Sequence, residues 1–314
     1  MILVTGGTGF IGQALIRHLV EDGRSVRTLL RPSPSSPDLP KRVPMEVAIS
    51  NIADERSLRA AVVGVETVYH LVGGEWQGVG ADLAQIEIEG TKTLINVARD
   101  AGIKRIVYLS HIGADRASAF PVFKVKGIVE EFIRKSGIDY TIIQSGSAYG
   151  QKDHFTTALA KLLAVYPFFF LLPGKGDTLL QPIWVEDLVT CLIWALDLEE
   201  ALNQTLRIGG PEFLSIRTVV EEIMKATGIK RRLIGLQPSY MRIAGVFLEY
   251  LFPFLPLSVY WIDYLAANRT CEIDSVPRLF GLLPVRLSRH LGHLRGHNWR
   301  RLALQDIRRK RKRG

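Results

Sequence analysis

The chain has 314 residues, 47% of them hydrophobic and 23% charged, which is enough apolar side chain for a large core and excludes a disordered polyelectrolyte. Its formal charge of +9 sits at one end: residues 286–314 carry eleven Lys or Arg against the acid Asp306, a net +10 that leaves the first 285 residues at −1, so the basicity reads as an appended tail and no nucleic acid is expected as a partner. Two distant cysteines, Cys191 and Cys271, exclude a disulfide scaffold and a cysteine-ligated metal site, no other metal site is expected, and the pair suits a reducing compartment.

From the N-terminus, apolar runs of strand length alternate with amphipathic runs of helix length. A strand is predicted over 2–4, a helix over 10–21, a strand over 26–30, a helix over 54–62 with Asp54 near its N-cap, and a strand over 67–71. A long helix over 81–101, a strand over 105–109, a helix over 122–135 and a strand over 140–143 follow. Such alternation requires parallel pairing with right-handed crossovers. The expected fold class is therefore α/β, a Rossmann-type doubly wound parallel sheet. The Pro/Ser cluster over 31–40 reads as a loop.

Past Gly150 the rhythm weakens. A short strand and a helix are expected over 181–197, a strand over 205–208 and a helix capped by Ser215 over 215–226, with broken helix in the aromatic- and proline-rich stretch 238–267. The expected organisation is an NAD(P)-binding domain over 1–150, a smaller mixed α/β C-terminal lobe over 151–285 on the partner or substrate side, and a basic tail over 286–314. His290, His293 and His297, at i, i+3 and i+7 beside Arg289 and Arg295, read as a polar surface face of a helix.

No apolar run reaches the ~20 residues of a membrane-spanning helix. The run over 162–172 contains Pro167, and that over 246–267 is broken by Glu249, Pro253, Pro256 and Asp263. Met1 leads straight into Ile2-Leu3-Val4 without a basic segment or cleavage site, so a cytoplasmic product is expected.

The chemistry begins with Thr5-Gly6-Gly7-Thr8-Gly9-Phe10-Ile11-Gly12, directly after the first strand and opening the first helix. Gly6 permits the tight turn, Gly9 lets the backbone approach a pyrophosphate, and Gly12 lets the helix pack close to the sheet. The helix N-terminus then offers free N–H groups to phosphates. At the end of the second strand an acid would bind the ribose 2′-OH of NAD, whereas an Arg accommodates the 2′-phosphate of NADP. Arg31 and Ser33 stand there, with no acid before Asp38, which favours NADP(H) over NAD(H). Asn51 and Ile52 are expected to flank the adenine, and Leu71, Val72 and Gly73 to line the cofactor groove.

Residues 5–12, the strand 107–110, Lys126 with Glu130, and Tyr149-Gly150 together resemble an atypical or extended short-chain dehydrogenase/reductase. The resemblance implies a Ser at the strand end and a Lys on the following helix, here Ser110 and Lys126, with a Tyr four residues before the Lys as general acid. Val122 occupies that place, and valine has no proton to give. Lys126 is then left as a ribose-binding residue, and Ser110 and Lys126 are remnants of a proton-transfer site. Tyr149 or His111 is the alternative donor. Glu87 stands where the superfamily has Asn before Gly90-Thr91.

The chain is most similar, within that superfamily, to the NADPH-binding accessory subunit family of respiratory complex I and its bacterial relatives. The likeness rests on residues 70–76, 109–114, 149–155, 181–187 and 253–257 and on Trp299-Arg300. It implies NADP(H) held as a structural ligand on a protein docked to a membrane complex near its quinone end. Aromatics over 246–267 and the basic run 308–313 suit an anionic membrane surface. The alternative is an NADP(H)-dependent reductase or epimerase acting on a hydrophobic substrate such as a quinone, isoprenoid or pigment precursor.

Overall fold

The computed structural model describes residues 1–33, 37–73, 82–251 and 259–311, with the backbone alone for 248–251, 259–261 and 309–311. Gly74-Glu75-Trp76, residues 253–257 and, within 308–313, every side chain but that of Arg308 lie outside the described part.

Six strands, β1 (Ile2–Thr5), β2 (Val26–Leu30), β3 (Glu46–Ile49), β4 (Thr67–His70), β5 (Arg105–His111) and β6 (Asp139–Ser145), join Gln204–Ile208 in a seven-stranded sheet. Its order is Gln204–Ile208, β6, β5, β4, β1, β2, β3, and every pairing is parallel. This is the doubly wound α/β class that alternation required. The winding reverses between β1 and β4, and ligands of such sheets bind in the crevice at that switch point.

Each face of the sheet buries one apolar cluster. On one face α1 (Phe10–Glu21) packs with the helix Val185–Asp197, through Leu15, Leu19, Leu188 and Leu192. On the other, α2 (Glu55–Ala61), α3 (Gly90–Asp100) and α4 (Pro121–Arg134) cover Leu3, Val68, Ile106 and Ile142. Asp54 caps α2 by accepting from Arg56 N, and Ser215 caps the helix Ile216–Thr227 by accepting from Thr218 N; each satisfies a donor the helix itself cannot. The helix expected over 81–101 divides into a π-helical turn, Ala84–Glu89, and α3.

Packing runs across both of the boundaries expected at residues 150 and 285. The seventh strand and the helix before it come from beyond residue 150, so the sheet is not closed by residues 1–150. The remainder forms a mixed lobe of helices and short two-stranded sheets, including a parallel pair of Phe169–Pro173 with Arg232–Leu236. Its core takes in Leu287, Leu291, Leu294 and Trp299, and Ala303 is also buried. Residues 286–303 are thus part of the lobe and not a loose tail, because their apolar side chains have a core to enter. The basic helix Trp299–Arg311 lies against Thr156–Val165, where Lys161 pairs with Asp306 at 2.7 Å. His290 and His293 are not on a helical surface face. His290 ends one single 3₁₀ turn, His293 lies within a second, and both rings pack on Trp184, at 5.4 and 6.2 Å.

Candidate functional site

The phosphate loop leaves β1 at the switch point. Gly6 takes φ +77°, and a Cβ there would lie 2.8 Å from the Leu71 carbonyl after β4, so only glycine lets the two strand ends approach. Gly9 N–H donates to Gly6 O at 3.0 Å, and Gly9 is the N-cap of α1. A Cβ on Gly12 would meet Gly6 O at 2.3 Å, which seats the helix on the turn. Past this turn opens a groove of about 410 Å³, the size of a small-molecule site.

Of the seventeen residues expected to hold a dinucleotide, thirteen line this groove: Gly6, Thr8, Gly9, Phe10, Ile11 and Gly12, then Arg31, Asn51 and Ile52, then Leu71, Val72, Gly73 and Lys126. Four do not. Thr5 is buried and its hydroxyl turns inward to His70. Gly7 lies against Thr28, whose Oγ1 would be 2.1 Å from an added Cβ. Ser33 is exposed on the loop after β2. Ser110 is 1% exposed, and its Oγ donates to Glu130 Oε1 at 2.6 Å. Strand alternation accounts for Ser110: Leu109 and His111 face the groove, so the residue between them faces the other way, under α4.

Lys126 and Glu87 form a buried ion pair, Nζ to Oε2 2.9 Å, with side chains 3% and 2% exposed. The ammonium also lies 5.5 Å from the centre of the Tyr108 ring. Behind it runs a chain of hydrogen bonds whose directions are fixed. Thr91 Oγ1 spends its one proton on the Glu87 carbonyl, so His70 Nε2–H is the donor to Thr91 at 2.9 Å. His70 Nδ1 then accepts from Thr5 Oγ1, also at 2.9 Å. Burial, and secondarily the Lys126 charge, push the His70 pKa down to about 3, so the ring is neutral and its tautomer set. Glu130 is likewise buried and satisfied by Ser110, Gln144 and Arg134.

No acid comes from α4 at the superfamily's place. Val122 is 8% exposed and packed with Phe123 in the lobe's cluster. Tyr149 is also away from the groove; its ring packs on Trp184 at 5.3 Å, its hydroxyl points to Val285 O, and burial raises its pKa. His111 does line the groove. So does Tyr264, expected only as one of the membrane-facing aromatics of 246–267 and instead 1% exposed. Its hydroxyl accepts from Ser147 Oγ at 2.8 Å and its ring meets His111 edge-on at 6.2 Å. The Arg269 guanidinium stacks on Phe123 at 3.7 Å and lies 5.7 Å from the Tyr264 ring. Burial raises the Tyr264 phenol, against smaller lowering effects of Ser147 and Arg269. No local signal separates Tyr264 from the aromatics around it.

Among the described residues no group of His, Cys, Asp or Glu could hold a metal, and no helix is long and apolar enough to cross a membrane.

A model of the NmrA-like family matches residues 1–243. The chain belongs to the NmrA-like family. It is 27% identical over 227 residues to NADH dehydrogenase (ubiquinone) 1 alpha subcomplex subunit 9 of Arabidopsis thaliana, covering 69% of this chain and 56% of that protein. It is 25% identical over 288 residues to an NAD(P)H azoreductase of Xenophilus azovorans, covering 90% and 93%. The chain spans 56–60% of the length of the first curated relatives it matches. Among solved structures, the NADPH-dependent quinone oxidoreductase QOR2 of Escherichia coli superposes with a TM-score of 0.71 at 21% identity, over 94% of this chain and 99% of that one.

Proposed function

We propose that this chain binds NADP(H) in the groove at its switch point and holds it as a resident ligand. The protein then serves as a structural or assembly component of a membrane oxidoreductase, respiratory complex I or a quinone-linked system, on the cytoplasmic face. The observation that carries the nucleotide reading is the meeting of the glycine turn, the α1 N-terminus, Arg31 and Lys126 along one groove. A pyrophosphate fits the first two, a 2′-phosphate the third and a ribose hydroxyl the fourth. Bound there, a reduced nicotinamide would supply a hydride. Val122 in place of the tyrosine supports a nucleotide that is kept and not turned over.

Docking is supported by the helix Pro238–Leu251. Tyr240, Ile243 and Phe247, at i, i+3 and i+7, are 62%, 70% and 62% exposed, an apolar stripe on one helix face. The basic run 308–313 would add attraction to anionic lipid of about 1 kcal/mol per charge near the surface. The 27% identity with a plant NADH dehydrogenase subunit points the same way.

One observation favours a second reading, an NADP(H)-dependent reductase or epimerase on a hydrophobic substrate. The Tyr264 phenol lines the groove with His111 and Lys126, which gives the C-terminal lobe the phenol that α4 lacks.

The test is capture of tagged protein from membranes solubilised in mild detergent, with partners and nucleotide identified by mass spectrometry. Co-purification with subunits of complex I or a quinone enzyme, and NADP(H) near one per chain, is expected. Protein that stays alone, exchanges its nucleotide freely and oxidises NADPH with a quinone, with turnover lost in Tyr264→Phe, would overturn the resident-ligand reading in favour of the second.

A further inference from the structure

The two walls of the groove are joined across the N-terminus of α1. On the side of Arg31, the main-chain carbonyl of Asp38 accepts from Gln13 Nε2 at 3.1 Å, and the same Nε2 donates to Thr8 O of the phosphate loop at 3.0 Å. The opposite wall is the segment 148–155, of which Ala148, His154 and Phe155 line the groove. From it Lys152 reaches over to Asp38, Nζ to Oδ2 3.1 Å. The hydrogen bond from Lys152, and secondarily its charge, hold the Asp38 carboxyl below its usual range.

The turn that presents Lys152 is fixed. Lys152 has φ +69°, a left-handed conformation uncommon for a residue with a Cβ. Gly150 N–H donates to Asp153 Oδ2 at 3.0 Å, while Asp153 Oδ1 accepts from Thr157 N–H at 2.7 Å. The ammonium therefore stands beside Asp38, whose carbonyl is tied through Gln13 to Thr8 of the phosphate loop. Its partner is weak, because the two side chains are 67% and 64% exposed and an exposed pair adds little. A phosphate oxygen, with more charge and more acceptor sites, competes well for such a cation.

We propose that Lys152 is a phosphate ligand of the groove, held in reserve by Asp38, and that it exchanges the Asp38 carboxylate for a phosphate oxygen when a dinucleotide binds. The proposal rests on the nucleotide reading above and deepens it: the link from Asp38 to Lys152 opens, and the freed ammonium turns onto the ligand's phosphates.

Titration of NADPH and NADH into the wild type, Lys152→Met, Asp38→Asn and the double variant tests it, with thermal unfolding to show that each variant folds. Lys152→Met is expected to weaken binding roughly tenfold, the worth of one charge-assisted hydrogen bond. Asp38→Asn releases the ammonium and is expected to tighten binding about threefold, the worth of an exposed ion pair. That gain should vanish when Lys152 is already Met. A loss confined to NADPH assigns Lys152 to the 2′-phosphate, and a loss with both nucleotides assigns it to the pyrophosphate. Unchanged affinity in Lys152→Met, or weaker binding in Asp38→Asn, would overturn the proposal while leaving the nucleotide reading intact. A wild type that binds neither nucleotide would overturn both.

Discussion

Replacing Lys126 by Met keeps most of the side-chain volume and removes an ammonium 2.9 Å from the Glu87 carboxylate, which is 2% exposed. A buried carboxylate deprived of its cation destabilises the fold by about 3–5 kcal/mol, far more than an exposed pair is worth. For a chain of this size that corresponds to a Tm lower by roughly 5–8 °C. The deficit should shrink as the pH falls, because Glu87 can relieve its burial by taking up a proton. Glu87→Gln removes the other charge. In the double variant neither charge is left uncompensated, so its loss should be smaller than the two single losses added, with a coupling of at least ~2 kcal/mol. Urea unfolding followed by circular dichroism, on the four proteins at pH 7.5 and pH 5 without nucleotide, measures the cycle. A Lys126→Met protein within about 1 kcal/mol of wild type, or strictly additive losses, would refute the assignment of Lys126 to the fold as well as to the groove.

Three further outcomes are expected. His18 is raised, first by its hydrogen bond to Glu186, and Glu186 is lowered by the same bond. The histidine's contribution is thus full below pH 6.5 and lost as pH rises through its folded pKa, while the carboxylate's is full above pH 4.5 and lost as pH falls; His18→Gln should flatten the alkaline side of a Tm–pH curve by under ~1 kcal/mol, since the pair is partly exposed. His70 has the opposite sign. Its folded pKa near 3 lies below the unfolded 6.5, so stability should fall as pH drops from 6.5 toward 3, and His70→Asn should remove that part of the acid slope, provided the variant folds at neutral pH. Gly12→Ala puts a Cβ 2.3 Å from Gly6 O, a backbone atom that cannot step aside, so nucleotide binding should be lost in a fluorescence titration even where the protein still folds.

Period and punctuation made the sheet legible. The alternation of short apolar runs with amphipathic helices is a local pattern, and it is sufficient for a parallel doubly wound sheet. The phosphate loop was legible in part for the same reason, since Gly9 and Gly12 answer to Gly6 O within the turn itself, although Gly6 and Gly7 also clear Leu71 and Thr28 from other strands. Ser215 and Asp54 announced their helices because a cap is made with the chain's own next turn. The strand Phe169–Pro173 was hidden in an apolar run that periodicity cannot assign.

The far side of the groove, with Ser110, Lys126 and Tyr264, obeyed other contacts. Whether Ser110 faces the groove depends on which side of β5 is covered by α4, and Lys126 meets Glu87 across a gap of 39 positions. Tyr264 reaches the groove from a lobe that begins beyond residue 150, and Gln204–Ile208 joins a sheet whose other strands end at residue 145. Residues 286–303, counted by charge, looked like a tail; their leucines and Trp299 made them core. Sequence alone determined what is written into neighbouring residues, the fold class and the phosphate turn. Which side chains converge from distant segments was decided by tertiary packing, because the burial that selects those partners exists only once the chain has closed on itself.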